Sequence, residues 1–111
     1  MTMPKLKVER SSGNVFADLG MPEADEHKLK AGLVAKLASI IDEQGLTQVA
    51  ASKLTGISQP DLSRALRGRF RDFSTDRLLK AIRHLDSEVE ITVRHHGRTV
   101  GAPIHLEAVA A

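Results

Sequence analysis

The sequence predicts a mainly α-helical fold: a compact bundle of four to five helices followed by a C-terminal β-strand. Apolar residues recur at helical spacing through residues 25–86, and only from Val89 does the pattern change to alternation of apolar and polar residues. Aromatic residues make up only 3% of the chain, whereas hydrophobic residues make up 41%. We therefore expect a core of Leu, Ile, Val and Ala, which suits small, closely packed helices.

The first helix is predicted to start near Asp25 and to stop at Gly45, a residue type that commonly follows a helix. Its apolar side chains share one stripe, and the charged residues, Lys30 among them, are expected to lie off that stripe. The stripe consists of Leu29, Leu33, Leu37, Ile40 and Ile41.

Two short helices joined by a tight turn are predicted next. Thr47 can cap the first of them, which runs from Gln48 to Leu54. Residues 55–57 form the turn, where we expect Gly56 to adopt a positive φ. Ile57 is expected to plug the angle between the two helices.

The third helix starts at Ser58, which can cap it, with Asp61 at the third helical position of a capping box. Gly68 ends this helix, and a loop follows. A fourth helix, capped by Ser74 or Thr75, carries four apolar residues at helical spacing: Leu78, Leu79, Ile82 and Leu85.

The strand after residue 86 is predicted from the alternation of Val89, Ile91 and Val93 with polar residues, which indicates one buried face. His96-Gly97 is typical of a turn. A second strand over residues 103–107 is compatible with the sequence, and the Ala-rich end is expected to be frayed.

Three parts follow from these patterns. Residues 1–24 form an N-terminal arm, and residues 25–86 form the helical domain. Residues 87–111 form a C-terminal strand and tail, which can serve as a dimerisation element because an unpaired edge strand invites a symmetric partner. Pairing of that strand within its own chain is an equally weighted alternative.

Several function classes are excluded by composition. The chain has no cysteine, and no apolar run approaches the ~20 residues that a membrane span needs. No secretory signal is evident, so we expect a soluble cytoplasmic protein.

His95 and His96 would point to opposite faces of a strand, and the other histidines lack paired spacing, so we expect no metal and no cofactor. No phosphate-binding loop, dinucleotide fingerprint or catalytic triad is present, which argues against an enzyme.

The positive charge is concentrated in one stretch. The chain carries a net charge of +2, but residues 47–71 alone contain five basic residues against Asp61, a net of +4. A local basic stripe is typical of a protein that binds a polyanion, although a solvated surface is the alternative.

The polar residues of this stretch suit the major groove of DNA. Gln48 can donate to a phosphate, Gln59 can pair with an adenine edge and Arg64 is the best candidate for a guanine contact. The arginines beyond the third helix are expected to contact the flanking phosphates. The full set of expected DNA-binding residues is Gln48, Ser58, Gln59, Asp61, Ser63, Arg64, Arg67, Arg69 and Arg71.

These segments resemble the Xre/Cro-repressor helix-turn-helix family and, within it, the HigA-type antitoxins. The resemblance covers residues 28–95 and departs from the family at Ser52 and Thr55, where Ala and a larger apolar residue are usual. It is carried by Leu46-Thr47-Gln48, Ala50-Ala51, Gly56-Ile57-Ser58-Gln59-Pro60, Leu62-Ser63-Arg64, Arg67-Gly68 and Phe73-Ser74.

The resemblance implies a lambda-repressor-like fold and a homodimer that binds an operator with an inverted repeat. Three hypotheses for function remain open. In the first, the protein is a repressor that is also the antitoxin of a cognate toxin. In the second, it is a regulator without a toxin, and in the third it is an interaction module that has lost DNA binding. The antitoxin hypothesis is motivated by residues 1–25, which DNA reading does not need and which can order on a partner.

Overall fold

Four helices and a β-hairpin make up the chain that the structure describes. The structure is a computed structural model in which residues 23–109 are described. Its helices are α1 (Glu23–Glu43), α2 (Gln48–Thr55), α3 (Gln59–Leu66) and α4 (Thr75–Arg83), and its strands are β1 (Val89–Ile91), β2 (Arg94–His95), β3 (Arg98–Thr99) and β4 (Ile104–Leu106). The mainly helical class is confirmed. The predicted arm, residues 1–24, lies outside the described residues except for its last two, which belong to α1.

Each of the three short helices starts at the capping residue that the sequence predicts. The hydroxyls of Thr47 and Ser74 accept the backbone N–H three residues on, at 3.1 and 3.0 Å. Ser58 does the same for the N–H of Asp61 at 3.4 Å. These bonds satisfy N–H groups that have no partner within the helix, and they fix where α2, α3 and α4 begin.

The buried face of α1 is rotated slightly from the predicted stripe. Val34, Leu37 and Ile41 are buried, whereas Leu33 is only half-buried. Lys30, expected off the stripe, is 8% exposed, and that prediction was wrong. Its ammonium group donates to the carbonyl oxygen of Arg71 at 3.0 Å and lies 3.4 Å from a carboxylate oxygen of Glu26. These two partners allow a cation to be buried there.

The core includes aromatic residues, contrary to the expectation of an aliphatic core. Phe70 and Phe73 are 7% and 1% exposed and anchor the loop between α3 and α4. A low aromatic content does not indicate where the few aromatic residues lie. The remaining buried hydrophobic residues are Val34, Leu37, Ile41, Ala51, Ile57, Leu62, Ala65, Leu78, Ala81, Ile82 and Leu85.

The C-terminal region is a hairpin, in which the strand predicted from Val89 onward pairs within its own chain. β1 pairs with β4 and β2 pairs with β3, both antiparallel, so the predicted second strand is present. His96 and Gly97 form the tip with φ values of 51° and 78°, as a type I′ turn requires. The register shifts by two residues between the pairs Ile91–Ile104 and Arg94–Thr99. Gly101, at φ 65°, lies between Thr99 and Ile104, the longer of the two segments that join these pairs.

The hairpin packs on α4 through β1, at its base. Val89 is half-buried against the helical core, but Val93 is 52% exposed, although alternation predicts a buried face there. The distal part of the hairpin extends beyond the helices, so no helix covers this side chain.

Residues 107–109 are tied to α4. The Ala-rich end was expected to be frayed, and its last two residues, 110–111, lie outside the described residues. The N–H of Val109 donates to the carbonyl oxygen of Arg83 at 2.8 Å. The guanidinium of Arg83 in turn donates to the carbonyl oxygen of Glu107 at 2.8 Å. Within residues 23–109, no helix has the length and apolar character that crossing a bilayer requires.

Candidate nucleic-acid interface

The turn between α2 and α3 is held by side chains as well as by backbone geometry. Gly56 has a φ of 76°, which confirms the predicted positive value. Thr55, at 8% exposure, donates its hydroxyl to the carbonyl of Ala51 at 2.8 Å and accepts the N–H of Ile57 at 3.2 Å. Ser52 donates to the carbonyl of Ile57 at 2.5 Å. The two residues that depart from the family pattern therefore stabilise the turn.

One face of α3 is buried and the opposite face is open. Leu62 and Ala65 are fully buried, and α3 packs against α2 on this side. At 100° per residue, Ser63, Arg64 and Arg67 fall on the opposite side of the helix. We call this outward face of α3, together with the first turn of α2 and residues 67–72, the recognition surface.

Most of the predicted DNA-binding side chains on this surface are accessible. The exposed members are Gln48, Ser58, Gln59, Arg67, Arg69 and Arg71, and the half-buried members are Asp61, Ser63 and Arg64. The Ser58 hydroxyl accepts the hydrogen bond that caps α3, so the main role of this side chain is structural. Val49, next to Gln48, is 48% exposed and gives this surface an apolar side chain that was not among the predicted residues.

The end of α3 fixes the direction in which the loop leaves. The N–H of Gly68 donates to the carbonyl of Ala65 at 3.0 Å, and the N–H of Arg69 donates to that of Arg64 at 3.0 Å. With Gly68 at a φ of 96°, these bonds form a Schellman motif, which turns the chain sharply at the helix end. Arg67 and Arg69 consequently sit on either side of a rigid glycine corner.

Arg64, the expected guanine reader, is paired within the protein. Its Nη1 and Nη2 donate to the two carboxylate oxygens of Asp72 at 3.1 and 3.2 Å. Nη2 also donates to a carboxylate oxygen of Asp61 at 3.1 Å. We call these residues, with Arg77, the arginine–aspartate cluster.

Two arginines of the cluster lie over the ring of Phe73. The guanidinium carbons of Arg64 and Arg77 are 5.5 and 4.5 Å from the ring centroid, within the range of cation–π contacts. Arg77 also reaches a carboxylate oxygen of Asp61 at 3.5 Å. Neither Asp72 nor Arg77 was predicted as a site residue, because they lie 8 and 13 residues beyond Arg64 and no periodic pattern connects them to it.

The pKa values of the cluster reflect these contacts. Hydrogen bonds from Arg64 are the largest cause that lowers the pKa of Asp61 and of Asp72 below the ordinary value. The bonds to Asp72 and then Asp61 raise the pKa of Arg64 further. Asp61, Asp72 and Arg64 therefore carry full charge at neutral pH. The cluster combines two arginines with two aspartates.

Arg71 lies away from α3. Its guanidinium is 3.9 Å from the carboxylate of Glu23 at the start of α1, and both side chains are more than four-fifths exposed. The ammonium group of Lys30 donates a hydrogen bond to the backbone carbonyl oxygen of Arg71. Arg71 is thus paired with α1, whereas Arg64 is paired within the arginine–aspartate cluster.

The histidines do not form a metal site in the part of the chain described. Among residues 23–109, no group of three or more histidine and acidic side chains converges. The rings of His95 and His96 meet edge to face with centroids 4.2 Å apart. They do not point to opposite faces as predicted, because His96 leaves the strand at a positive φ.

Comparison with known proteins agrees with this geometry. A family model described as a helix-turn-helix domain matches residues 15–94. A solved structure named as an XRE-family transcriptional regulator is 36% identical, with a TM-score of 0.65, over 81% of this chain and 100% of that one. A search of curated proteins finds no match.

Proposed function

Because the chain belongs to the helix-turn-helix domain family, we propose that it is a sequence-specific DNA-binding transcriptional regulator that acts as a repressor. Its similarity to an XRE-family transcriptional regulator supports the same conclusion. Repression follows if the protein occupies an operator within a promoter and blocks the polymerase.

The observation that carries the proposal is the open polar face of α3 above a fully buried one. Leu62 and Ala65 fix α3 on the body, and the cap at Ser58 fixes its first turn. A helix held in this way can enter the major groove, about 12 Å wide, with Gln59 at its leading end. The proposed contacts are bases for Gln59, Ser63 and Arg64, and phosphates for Gln48, Arg67, Arg69 and Arg71.

We further propose that the protein acts as a homodimer, since one short helix reads few base pairs and two copies about one DNA turn apart read an inverted repeat. β1 pairs within its own chain, so its paired edge is not available to a partner. The hairpin supports a dimer by another route. Val93 and Val100 are cross-strand neighbours and are 52% and 54% exposed, and Ile104 is 54% exposed. Val93 and Val100 lie opposite each other across the hairpin, so these two share one face.

A toxin partner is a narrower proposal, which rests on the resemblance to HigA-type antitoxins. The segment that would hold the toxin lies within residues 1–25, almost wholly outside the described residues. Co-expression with the product of a neighbouring small reading frame, followed by a pull-down, tests it. Deletion of residues 1–12 is expected to abolish toxin capture and to spare DNA binding.

Selection from duplex DNA with a randomised segment of about 20 base pairs, two helical turns, tests the main proposal. We expect the full chain to enrich an inverted repeat. Arg64→Ala should then weaken binding to it about 5- to 100-fold and relax one base preference. Arg69→Ala should weaken all sequences and lower the salt slope by about 0.9. Absence of any salt-dependent DNA binding would instead favour an interaction module.

A further inference from the structure

Both hydrogen-bonding forks of the Arg64 guanidinium are occupied in the free protein. Asp72 takes the fork formed by Nη1 and Nη2, with bonds of 3.1 and 3.2 Å. Asp61 takes a proton of Nη2, at 3.1 Å, which the second fork with Nε would need. Guanine recognition requires one complete fork for its O6 and N7 atoms. Arg64 in this arrangement cannot read a guanine bidentately.

We propose that Asp72 is a specificity-determining residue that competes with DNA for Arg64, so that Arg64 reads its base only after exchanging the Asp72 carboxylate for the base edge. This inference rests on the proposed DNA-binding function. It assigns Asp72, outside the set of expected DNA contacts, the role of setting how strongly one base pair is read.

The exposure of the pair makes the exchange feasible. The Arg64 side chain is 35% exposed and that of Asp72 is 67% exposed. Ion pairs this accessible are worth about two- to fivefold in an equilibrium constant. A bidentate arginine–guanine contact is worth about 5- to 100-fold. A guanine at the matching position can therefore displace Asp72 from Arg64. The net preference for that base is reduced by the free energy needed to break the Arg64–Asp72 ion pair.

Asp72 is better placed for this role than Asp61. The Asp61 side chain also contacts Arg77 and hydrogen-bonds to Ser58, the residue that caps α3, so its loss would disturb the start of the helix. The Asp72 side chain is bonded chiefly to Arg64 and lies in the loop after α3. The stack of Arg64 on Phe73, which is 1% exposed, keeps the guanidinium on this surface when the carboxylate leaves.

A double-mutant cycle on the full chain tests the proposal. The wild type, Asp72→Ala, Arg64→Ala and the double variant are each measured against the duplex enriched by the wild type and against a scrambled duplex of the same composition. We expect Asp72→Ala to strengthen binding to the enriched duplex when Arg64 is present. This gain in affinity should be about two- to fivefold larger than the gain that the same substitution gives in the Arg64→Ala background. It should also deepen the preference at the one position that Arg64→Ala relaxes.

Three outcomes would overturn the proposal, and they have different meanings. Equal gains from Asp72→Ala with and without Arg64 would mean that Asp72 acts only by repelling phosphates. Weaker binding by Asp72→Ala would mean that the carboxylate positions Arg64 for the base. Failure of the wild type to enrich any sequence would overturn the proposed function as well. Carboxyl NMR titration of Asp72 in the free wild type and in Arg64→Ala checks the pairing without DNA, and an unchanged pKa would also contradict the proposal.

Discussion

The hydroxyl of Ser52 donates a 2.5 Å hydrogen bond to the carbonyl oxygen of Ile57, across the turn that joins α2 to α3. Ile57 is 2% exposed, so its carbonyl has little access to water as an alternative donor. The bond spans the corner that sets the direction of α3. The local stability of this corner determines whether the recognition surface is presented as one unit.

Replacement of this serine should therefore destabilise the fold. We expect Ser52→Ala to lower the free energy of unfolding by about 0.5–1.5 kcal/mol, because one partly buried hydrogen bond is lost. Ser39→Ala, at an exposed position of α1, controls for the higher helix propensity of Ala. Urea denaturation measures both variants. Equal effects of the two substitutions would mean that the Ser52 bond contributes nothing.

Gly56 provides a test of backbone strain without steric interference. No atom outside its neighbourhood lies within 4 Å of where a Cβ would be, and its φ is 76°. Gly56→Ala should lower the free energy of unfolding by about 1–2 kcal/mol through the left-handed conformation alone. Gly56→Asn should cost less, because Asn tolerates this region.

Gly32 is the matched control for that substitution. It also has no atom within 4 Å of a Cβ position, but it lies inside α1. Gly32→Ala should stabilise the protein by about 0.5–1 kcal/mol, because Ala favours a helix interior. Thermal or urea denaturation of both variants measures the contrast, and a loss of stability at Gly32 equal to that at Gly56 would refute the role assigned to φ.

Lys30 is expected to be structural rather than a phosphate contact. Lys30→Met keeps the apolar stem but removes the donor to the Arg71 carbonyl, and it should lower the free energy of unfolding by roughly 1–3 kcal/mol. Lys36→Met, at an exposed position of the same helix, should leave it nearly unchanged. Denaturant titration compares them, and an equal result for both would contradict the structural role.

The arginine–aspartate cluster predicts a specific dependence of stability on pH. Hydrogen bonds from Arg64 lower the pKa of Asp61 and of Asp72 in the folded state relative to the ordinary value of 3.8. The contribution of these groups to stability is therefore complete above about pH 4 and is lost as the pH falls through their folded pKa values. Denaturation below pH 4 should show a smaller acid loss in Arg64→Ala than in the wild type. The same acid loss in both proteins would count against the cluster.

The distal hairpin face is expected to hold the dimer together. Val93→Lys places a charge among the exposed apolar side chains and should shift sedimentation from dimer to monomer at micromolar concentration. Val49→Lys, equally exposed at 48% but located on α2, should leave the dimer intact. A protein that is monomeric before either change would remove the dimer from the proposed function.

Local signals in the sequence predicted much of the helical part. Thr47, Ser58 and Ser74 each act through bonds to residues three positions away, and Gly56 acts through its own φ, so a short window of sequence contains the whole interaction. The polar face of α3 could be predicted in the same way, because helical periodicity alone decides which residues lie opposite Leu62.

Interactions between distant residues were not predictable from such windows. The carbonyl partner of Lys30 lies 41 residues away along the chain. A lysine on the polar side of a helical pattern is therefore predicted to be exposed. Asp72 lies just outside the stretch of residues 47–71 that defines the basic excess, yet it pairs with Arg64 inside that stretch. The two-residue register shift of the hairpin depends on both strands together, so alternation in β1 could not predict it.

The attachment of the hairpin to the helical body through α4 has an evolutionary consequence. If the distal hairpin face is the dimer contact proposed above, substitutions at its valines can change which subunits associate without altering α3. Duplicated copies of such a gene could then diverge in partner choice first and in operator later, and two paralogues in one cell could avoid mixed assemblies while they still share a binding site.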